Sequence, residues 1–518
     1  MNDRRLFALL LVAYGWLFVY FEKLNNPNEM VRVYMARAIA EHGTYAIGKR
    51  DATLVDRGPL YEEWGYVNDK ALVCDDPARR PPDCAGRLYA AKAPGPSLLG
   101  APVLAAFRAL GGRITSKAAD VLVLRWILCI LPTAAFWVAM RRWLIRNGAA
   151  PAAALAAVLA AAFGSLSFTY GQMFAGHQLA ALALGTAFLA AFWSERTSGA
   201  QAALSGFAGA LAICCEYPSA PAAALIGAGW VVSRRPSPRA VALALLGTVP
   251  PLAALAHFHW SAFGSVWSTP YSHLENAAFV QDISPGFHGL SAPTWERIYG
   301  SLFTPSLGLF FWSPWIALAL AAAPSLLRRG SAPARIAVLA LAYYLIFQIT
   351  HSLWRGGWVI GPRYVTALVP FAAVAVALWA RGPLRLAALG GAGAASIAAT
   401  GLASIVSQGF PLEVYSPLVE VVAPLLAHGY VPRNLLQLAG VPGLWSALPC
   451  FIALALAMVL LVTAPRSPRA TAVACAVAAL LILAQWTATR GNDPSHQSAV
   501  RFLASIWEPN PPPGARTF

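Results

Sequence analysis

Two residues in the first long polar stretch of the chain have the chemistry to act on a phosphate ester, Glu29 and Lys92. A carboxylate can serve as the general base that accepts the proton of an attacking hydroxyl group. A lysine beside a prolyl turn, as Lys92 is, can hold a phosphate group as a compact positive charge. Both residues follow an apolar segment at residues 6–21, so the predicted reaction takes place on a lipid-linked phosphate at a membrane surface.

Each of these two residues also has a purely structural interpretation. The run from Asn26 to Glu29 fits a capping box, in which the asparagine caps a helix and the glutamate reaches back to its amide. Lys92 would then be a lysine that extends its charged end to water ahead of an interfacial helix. Residue types alone leave these alternatives open.

A third group of candidate residues lies in one short turn between two apolar segments, and it comprises His351, Arg355, Trp358, Arg363 and Tyr364. The guanidinium groups of Arg355 and Arg363 offer planar pairs of donors to phosphate oxygens. Glycines within the turn permit close approach of the backbone, and the tryptophan suits either a sugar face or a membrane interface. The alternative is that both arginines only anchor helix ends at lipid headgroups.

Further polar side chains lie at the predicted outer ends of apolar segments, namely Arg125, Gln172, His177, Glu216, His257, His259 and Gln348. Ionisable groups at membrane depth are costly and therefore suggest function. Glu216, followed by a tyrosine and a proline, is the strongest of them and is predicted to bind substrate. The H-x-H pair at His257 is weak evidence for a metal site, so no cofactor is predicted, and a divalent ion is left open.

The composition places these residues in an all-α polytopic membrane protein. Of 518 residues, 58% are hydrophobic and 12% are charged, whereas soluble domains contain about 25% charged residues. Apolar runs close to the roughly 20 residues that span a bilayer recur along the chain. They predict about thirteen transmembrane helices, near residues 6–21, 120–140, 151–170, 173–193, 200–215, 218–233, 240–260, 306–325, 334–350, 364–380, 384–405, 446–464 and 469–488.

The predicted organisation is one integral membrane domain, residues 1–490, followed by a polar tail at residues 491–518. Three long loops interrupt it, at residues 22–119, 261–305 and 406–445. The first loop should contain two short helices, Asn26 to Glu41 and Ser97 to Leu110, each lying in the membrane interface with one apolar face.

The net charge of +16 is distributed as a membrane protein requires. Sixteen of the 33 arginines fall in short loops on one side of the predicted topology, which is the positive-inside pattern. The short loops are therefore predicted to be cytoplasmic, and the long loops and the tail to face outward. This distribution argues against a nucleic-acid partner.

Two of the seven cysteines, Cys74 and Cys84, lie in the first outer loop. An oxidising compartment would allow them to form a disulfide, but spacing alone does not establish pairing. The other five lie in or near apolar segments and are interpreted as small buried hydrophobic residues.

The first loop resembles that of the GT-C glycosyltransferases, the group that includes bacterial aminoarabinose transferases and protein O-mannosyltransferases. The shared layout is an outer acidic pair after the first span, a helix of the form E-x-x-x-x-x-x-A-R, and a Lys-Pro-type motif that ends the loop. Glu29, Arg32 and Lys92 take the matching positions. This chain departs from the pattern at Asn28, where the family has the aspartate that is usually assigned as the base.

The resemblance implies a bacterial cytoplasmic-membrane glycosyltransferase with a periplasmic active face. Glu29 would be the catalytic base, while Lys92 and Arg32 from the first loop, and the residues of the later turn, would bind a polyprenyl-phosphate-linked sugar donor. The acceptor would be a glycan, a lipid or a protein. Two alternatives remain, a transporter or flippase of a lipid-linked sugar and, less favoured, an O-antigen ligase or polymerase. The enzyme interpretation requires the first loop and the later turn to emerge on the same side of the membrane.

Overall fold

The computed structural model describes residues 1–21, 25–111, 116–411 and 413–489, and the predicted polar tail lies outside these ranges. The described chain is mostly helical. Within it, five helices are long and apolar enough to cross a membrane: Lys117–Arg146, Pro238–Phe263, Ala332–Thr350, Pro383–Val406 and Pro468–Thr487. Six shorter apolar helices accompany them: Pro151–Phe163, Gly176–Phe192, Gly199–Cys215, Arg363–Trp379, Leu418–Ala427 and Leu448–Val462.

The remaining helices are short or carry more polar residues. They are Asp3–Gly15, Pro27–His42, Pro59–Trp64, Gly95–Ala109, Leu166–Gly171, Tyr217–Ser219, Ala220–Arg234, Pro270–His273, Ala277–Ile283, Trp295–Leu302, Leu309–Trp312, Pro314–Ile316, Ala317–Arg329, Leu435–Leu438 and Gly443–Ser446. One to three helices occupy each predicted apolar segment, but thirteen spans are not confirmed. The first predicted span, for example, is the 13-residue helix Asp3–Gly15, and the third is divided after Phe163.

The chain divides into two compact units. The first, called here the Glu29 unit, contains the described residues of Leu24–Cys129 and Met173–Ser291. The second, called the Arg355 unit, contains those of Met1–Lys23, Ile130–Gln172 and Ala292–Phe518. The sequence-predicted site residues are therefore divided between the two units, with Glu29, Arg32, Lys92 and Glu216 in one and the residues of the later turn in the other.

The Glu29 unit contains a small antiparallel sheet that the all-α prediction missed. Its strands are β1 Gly48–Arg50, β2 Asp56–Arg57, β3 Lys70–Cys74 and β4 Gly86–Ala90, in the order β2-β1-β4-β3. Cys74 and Cys84 form a disulfide with their Cα atoms 5.6 Å apart, which confirms that pairing and joins the ends of β3 and β4. Strands this short fall below the length at which alternation gives a clear sequence signal.

The first helix of the outer loop, Pro27–His42, begins with proline and ends at Gly43, as predicted. It is not an interfacial helix with one exposed face, because every side chain from Asn28 to Ala38 is buried. It packs against the helix Gly95–Ala109 and against β4, and its polar residues pair inside the unit instead of facing water. The second predicted loop helix, Gly95–Ala109, does keep an exposed face.

Close contact between the helices Gly199–Cys215 and Pro238–Phe263 depends on two glycines. A Cβ atom at Gly206 would lie 1.8 Å from the Ala244 carbonyl oxygen, and one at Gly247 would lie 2.2 Å from the Ala203 carbonyl oxygen. Both distances are far below van der Waals contact, so even a methyl group would force the helices apart. Small residues serve this purpose in membrane helix packing.

We therefore expect Gly206→Ala to lower stability by about 1–3 kcal/mol, the usual cost of overpacking. Gly227→Ala is the matched control, because this helical glycine has open space where its Cβ would lie and gains the same helix propensity. Thermal unfolding of the purified protein in detergent measures both. Equal melting temperatures for the two variants would show that the close contact does not limit stability.

Candidate active site

Glu29 lies at the start of the Pro27–His42 helix and is almost fully buried. Its Oε1 accepts hydrogen bonds from Arg125 Nε at 2.7 Å and from the Phe174 backbone amide at 2.7 Å. Its Oε2 accepts one from Arg125 Nη2 at 2.6 Å. These contacts do not form a capping box. The Asn26 side chain accepts the Asn28 amide, but the Glu29 oxygens bind Arg125 and Phe174 and do not reach back to Asn26.

Arg32, one turn further along the same helix, joins Asn28 to Glu216. Its Nη1 donates to the backbone and side-chain oxygens of Asn28, and its Nη2 donates to Glu216 Oε1 at 3.0 Å. The Arg32 side chain is 1% exposed and that of Glu216 is 14% exposed. Glu216 is therefore more accessible than Glu29, whose side chain is only 2% exposed.

His177 completes this network, and its hydrogen bonds fix its tautomer. Arginine has donors only, so the Asn28 oxygen faces Arg32 and the Asn28 amide nitrogen faces His177. That nitrogen lies 3.2 Å from His177 Nε2 and donates to it. With Nε2 as the acceptor, Nδ1 carries the ring proton, and it lies 3.3 Å from Glu216 Oε1. Asn28 thus orients the His177 ring with Nδ1 toward Glu216.

Two glycines allow these groups to meet. A Cβ atom at Gly176 would lie 2.3 Å from Glu216 Oε1 and 2.9 Å from Arg32 Nη2. A Cβ atom at Gly95 would lie 2.6 Å from the carbonyl oxygen of Cys214, just ahead of Glu216. Gly95 ends the Lys92 motif, so the close approach brings that motif beside the segment that carries Glu216.

Lys92 follows β4 and is paired with a carboxylate that the sequence did not single out. Its Nζ lies 3.0 Å from Asp69 Oδ2, with the lysine side chain 16% exposed and the aspartate side chain 9% exposed. Asp69 precedes β3, and its carbonyl accepts the amide of Ala91 at 2.8 Å. The ion pair thus holds together the end of the β3–β4 hairpin from which the Lys92 motif departs.

The later turn forms a local structure of its own in the Arg355 unit. Arg355 Nη2 lies 2.7 Å from Glu296 Oε1, and both side chains are more than half exposed, so this pair contributes little to stability. Gly356, Gly357 and Gly361 have positive φ angles, which shape a turn that few other residues could adopt. Arg355 is therefore held by a water-exposed ion pair and by its position over the Trp354 ring, 5.0 Å from the ring centre.

The rest of that turn is more enclosed. The guanidinium of Arg363 lies 5.3 Å from the centre of the Tyr364 ring, and the His351 and Tyr364 rings are 5.4 Å apart. Burial, reinforced by the positive charge of Arg297, lowers the pKa of His351 to about 4, so its imidazole is neutral at physiological pH. Trp358 is half-buried, and its neighbour Val359 pairs with Phe410 in an isolated bridge.

The other polar residues at predicted span ends have structural partners. His257 contacts Tyr45 at 2.8 Å, and His259 contacts Tyr217 at 2.8 Å and the Val266 carbonyl at 3.0 Å. The side-chain amide of Gln172 donates to Phe168 and that of Gln348 to Trp354. Among the residues that the structure describes, no three His, Cys, Asp or Glu side chains form a group that could hold a metal ion.

The structure thus places four of the sequence-predicted residues in the same unit. Arg32 and Glu216 are in direct contact, Glu29 lies one turn before Arg32 on the same helix, and the Lys92 motif approaches the segment that carries Glu216. Arg125 and His177 were predicted only as polar groups at or near span ends. In the structure Arg125 binds Glu29, and His177 Nδ1 lies 3.3 Å from Glu216 Oε1. The contact between the Phe174 amide and Glu29 could not be predicted from the sequence, because nearly every residue type has a backbone N–H donor.

No protein-family model matches the chain, and no curated protein matches it. Two crystal structures of ArnT from Cupriavidus metallidurans, in the apo state and bound to undecaprenyl phosphate, are similar to it in fold. In each case the TM-score is 0.47 and the identity 14%, over 97% of this chain and 77% of that chain. At this identity and TM-score, the likeness carries no inference about activity or substrate.

Proposed function

We propose that this chain is a glycosyltransferase that moves a sugar from a polyprenyl-phosphate carrier to an acceptor on the outer face of a bacterial cytoplasmic membrane. The observation that carries the proposal is the convergence of Glu29, Arg32, Glu216 and the Lys92 motif in the Glu29 unit, although they come from distant parts of the sequence. Almost all charged or ionisable groups of this cluster are buried: Glu29, Arg32, Arg125 and His177. Removing charged groups from water costs free energy, so their presence here favours a functional role.

The reaction needs two kinds of group, and the Glu29 unit contains both. The acceptor oxygen forms a bond to the anomeric carbon of the sugar, the bond from that carbon to the phosphate oxygen breaks, and the carrier leaves as polyprenyl phosphate. A carboxylate takes the proton of the acceptor hydroxyl. Positive groups stabilise the charge that grows on the departing phosphate, and Lys92 is the proposed ligand for it.

Glu29 is the proposed base, and Glu216 is the second candidate for that role. Both oxygens of Glu29 already accept hydrogen bonds, so an acceptor hydroxyl must reach a buried carboxylate or displace Arg125. Glu216 is more exposed, and its Oε1 lies 3.0 Å from Arg32 Nη2 and 3.3 Å from His177 Nδ1. The specific observation that favours Glu216 is thus its accessibility, and the one that favours Glu29 is its position in the family-like motif.

The residues of the later turn are proposed to bind substrate. Arg355 would exchange its exposed contact with Glu296 for phosphate oxygens. Breaking that contact costs little free energy, because a water-exposed ion pair is weak. Arg363 is the second proposed phosphate ligand. Trp358, Tyr364 and the neutral His351 offer aromatic surface and a hydrogen-bonding group to a sugar.

The test is sugar transfer by the purified protein from radiolabelled polyprenyl-phosphate sugars, comparing wild type with Glu29→Gln and Glu216→Gln. We expect transfer by the wild type and a loss of at least about 100-fold in whichever variant lacks the base. Binding of polyprenyl phosphate is measured on the same samples and should persist in both variants.

Several results would argue against this proposal in different ways. Transfer that survives both substitutions would remove the base assignments. A wild type that binds lipid-linked sugars but transfers none of them would favour the alternative, a transporter or flippase. In that case, movement of a labelled lipid-linked sugar between the leaflets of a vesicle should depend on the protein.

A further inference from the structure

We propose that Asp69 is an internal counter-ion that occupies Lys92 in the resting protein and that the carrier's phosphate displaces it. This inference rests on the proposed function, because it assigns a competitor to the lysine that is proposed to bind the carrier. Asp69 would therefore set how tightly the carrier binds. It would not touch the reacting atoms.

Asp69 contacts the lysine motif through both its side chain and its backbone. Asp69 Oδ2 lies 3.0 Å from Lys92 Nζ, and its backbone carbonyl accepts the amide of Ala91, the residue just before that lysine. Two contacts therefore hold Asp69 against one short segment. A salt bridge with this support keeps the ammonium group in a defined position, ready for an anion.

The same segment leads directly to the charged cluster. Gly95 packs against the backbone of Cys214 and Cys215, and the Ser97 hydroxyl donates to the Arg32 carbonyl at 2.9 Å. An anion bound at Lys92 would thus lie at the beginning of a helix whose first turn contacts both Arg32 and the segment that precedes Glu216. The lysine side chain keeps 16% exposure, which leaves it a route to an incoming ligand.

Competition follows from charge. A lysine ammonium has three donors and one positive charge, and the Asp69 carboxylate neutralises that charge at close range. Polyprenyl phosphate, the monoester that leaves after transfer, carries more negative charge and more acceptor oxygens than a carboxylate. It can therefore replace Asp69, but it must first overcome the existing ion pair. Removing the carboxylate should therefore tighten phosphate binding, whereas a purely supporting role would weaken it.

Asp69→Asn is the decisive variant, because it removes the charge with almost no change in shape. Asp69 has a φ angle of +61°, a backbone conformation that asparagine tolerates well among non-glycine residues. We expect the dissociation constant for polyprenyl phosphate to fall about three- to tenfold, the range that an ion pair of this exposure supports. Lys92→Gln should weaken binding, and Lys92→Gln combined with Asp69→Asn should bind no better than Lys92→Gln alone.

The matched control is Asp76→Asn, which changes the net charge equally at an exposed residue of the same loop, whose Oδ2 lies 3.9 Å from Arg79 Nε. It should leave carrier binding unchanged. Asp69→Gly, which suits the left-handed backbone, provides a second variant if the first fails to fold. Equal or weaker binding by folded Asp69 variants would overturn the counter-ion role while leaving the proposed function intact. Absence of polyprenyl phosphate binding by the wild type would overturn both.

Discussion

Replacing Arg125 with leucine is expected to lower the free energy of unfolding by about 3–5 kcal/mol, because it leaves the buried carboxylate of Glu29 without its partner. The two side chains are 3% and 2% exposed and are joined by two hydrogen bonds. Unfolding of the purified protein in detergent measures the loss. Arg355→Leu is the matched control, since its ion pair with Glu296 is exposed, and it should cost less than about 1 kcal/mol.

The double variant Glu29→Leu with Arg125→Leu should be much more stable than Arg125→Leu alone, because it buries no unpaired charge. A double variant as unstable as the single one would show that the hydrogen bond to Phe174 and local packing matter more than the pair. A loss no larger than that of Arg355→Leu would contradict the buried-pair interpretation altogether.

The same pair separates a catalytic Glu29 from a structural one. In Glu29→Gln the guanidinium of Arg125 is left buried without a counter-charge, so lost transfer alone is ambiguous. Glu29→Gln combined with Arg125→Gln removes that charge. If transfer returns in this double variant, Glu29 is only the partner of Arg125. If transfer stays absent while carrier binding and stability recover, the base role is supported.

The second large effect is expected in the four-residue charge cluster formed by Arg50, Asp56, Lys70 and Glu275. Arg50 Nε lies 2.8 Å from Asp56 Oδ1, and its Nη2 lies 2.6 Å from Glu275 Oε1. Lys70, whose side chain is fully buried, also pairs with Asp56. These contacts hold the segment after Phe263 against the sheet, because the Glu275 amide also donates to the Lys70 carbonyl.

Asp56→Asn should therefore lower the free energy of unfolding by about 3 kcal/mol at neutral pH, as it leaves two buried cations with one carboxylate. Burial by itself would raise the pKa of the Asp56 carboxyl, but the hydrogen bonds and charges of Arg50 and Lys70 outweigh burial, and that pKa lies below its usual value. Such a group stabilises the fold above its unfolded pKa of about 3.9 and loses this contribution as the pH falls.

The melting temperature of the wild type should accordingly fall as the pH decreases from about 5 to 3. The melting temperature of Asp56→Asn, which is already lower than that of the wild type at neutral pH, should decrease less over the same pH interval. Asp76→Asn provides the control for an exposed carboxylate, and its curve should follow that of the wild type. Parallel curves for the wild type and Asp56→Asn would show that Asp56 does not account for the acid sensitivity.

The sequence predicted the helical nature of this protein because apolar runs report directly on burial in lipid or in a helical core. It also located the boundaries of the Pro27–His42 helix, since proline and glycine determine where a helix can begin and end. It did not predict the four-stranded sheet, whose strands are two to five residues long. It also assigned that helix an exposed face, because residue spacing does not reveal which polar side chains find partners inside the protein.

The sequence by itself determined which residues are candidates for the site: Glu29, Arg32, Lys92 and Glu216 were all predicted from motifs or from their cost at membrane depth. Only the tertiary structure decided how they are paired. Arg125 joins Glu29, Asp69 joins Lys92, and Asn28 turns the proton of His177 toward Glu216. The physical reason is that an ion pair depends on distances of about 3 Å between groups far apart in the chain, and these distances are set by close backbone contacts such as the one at Gly95.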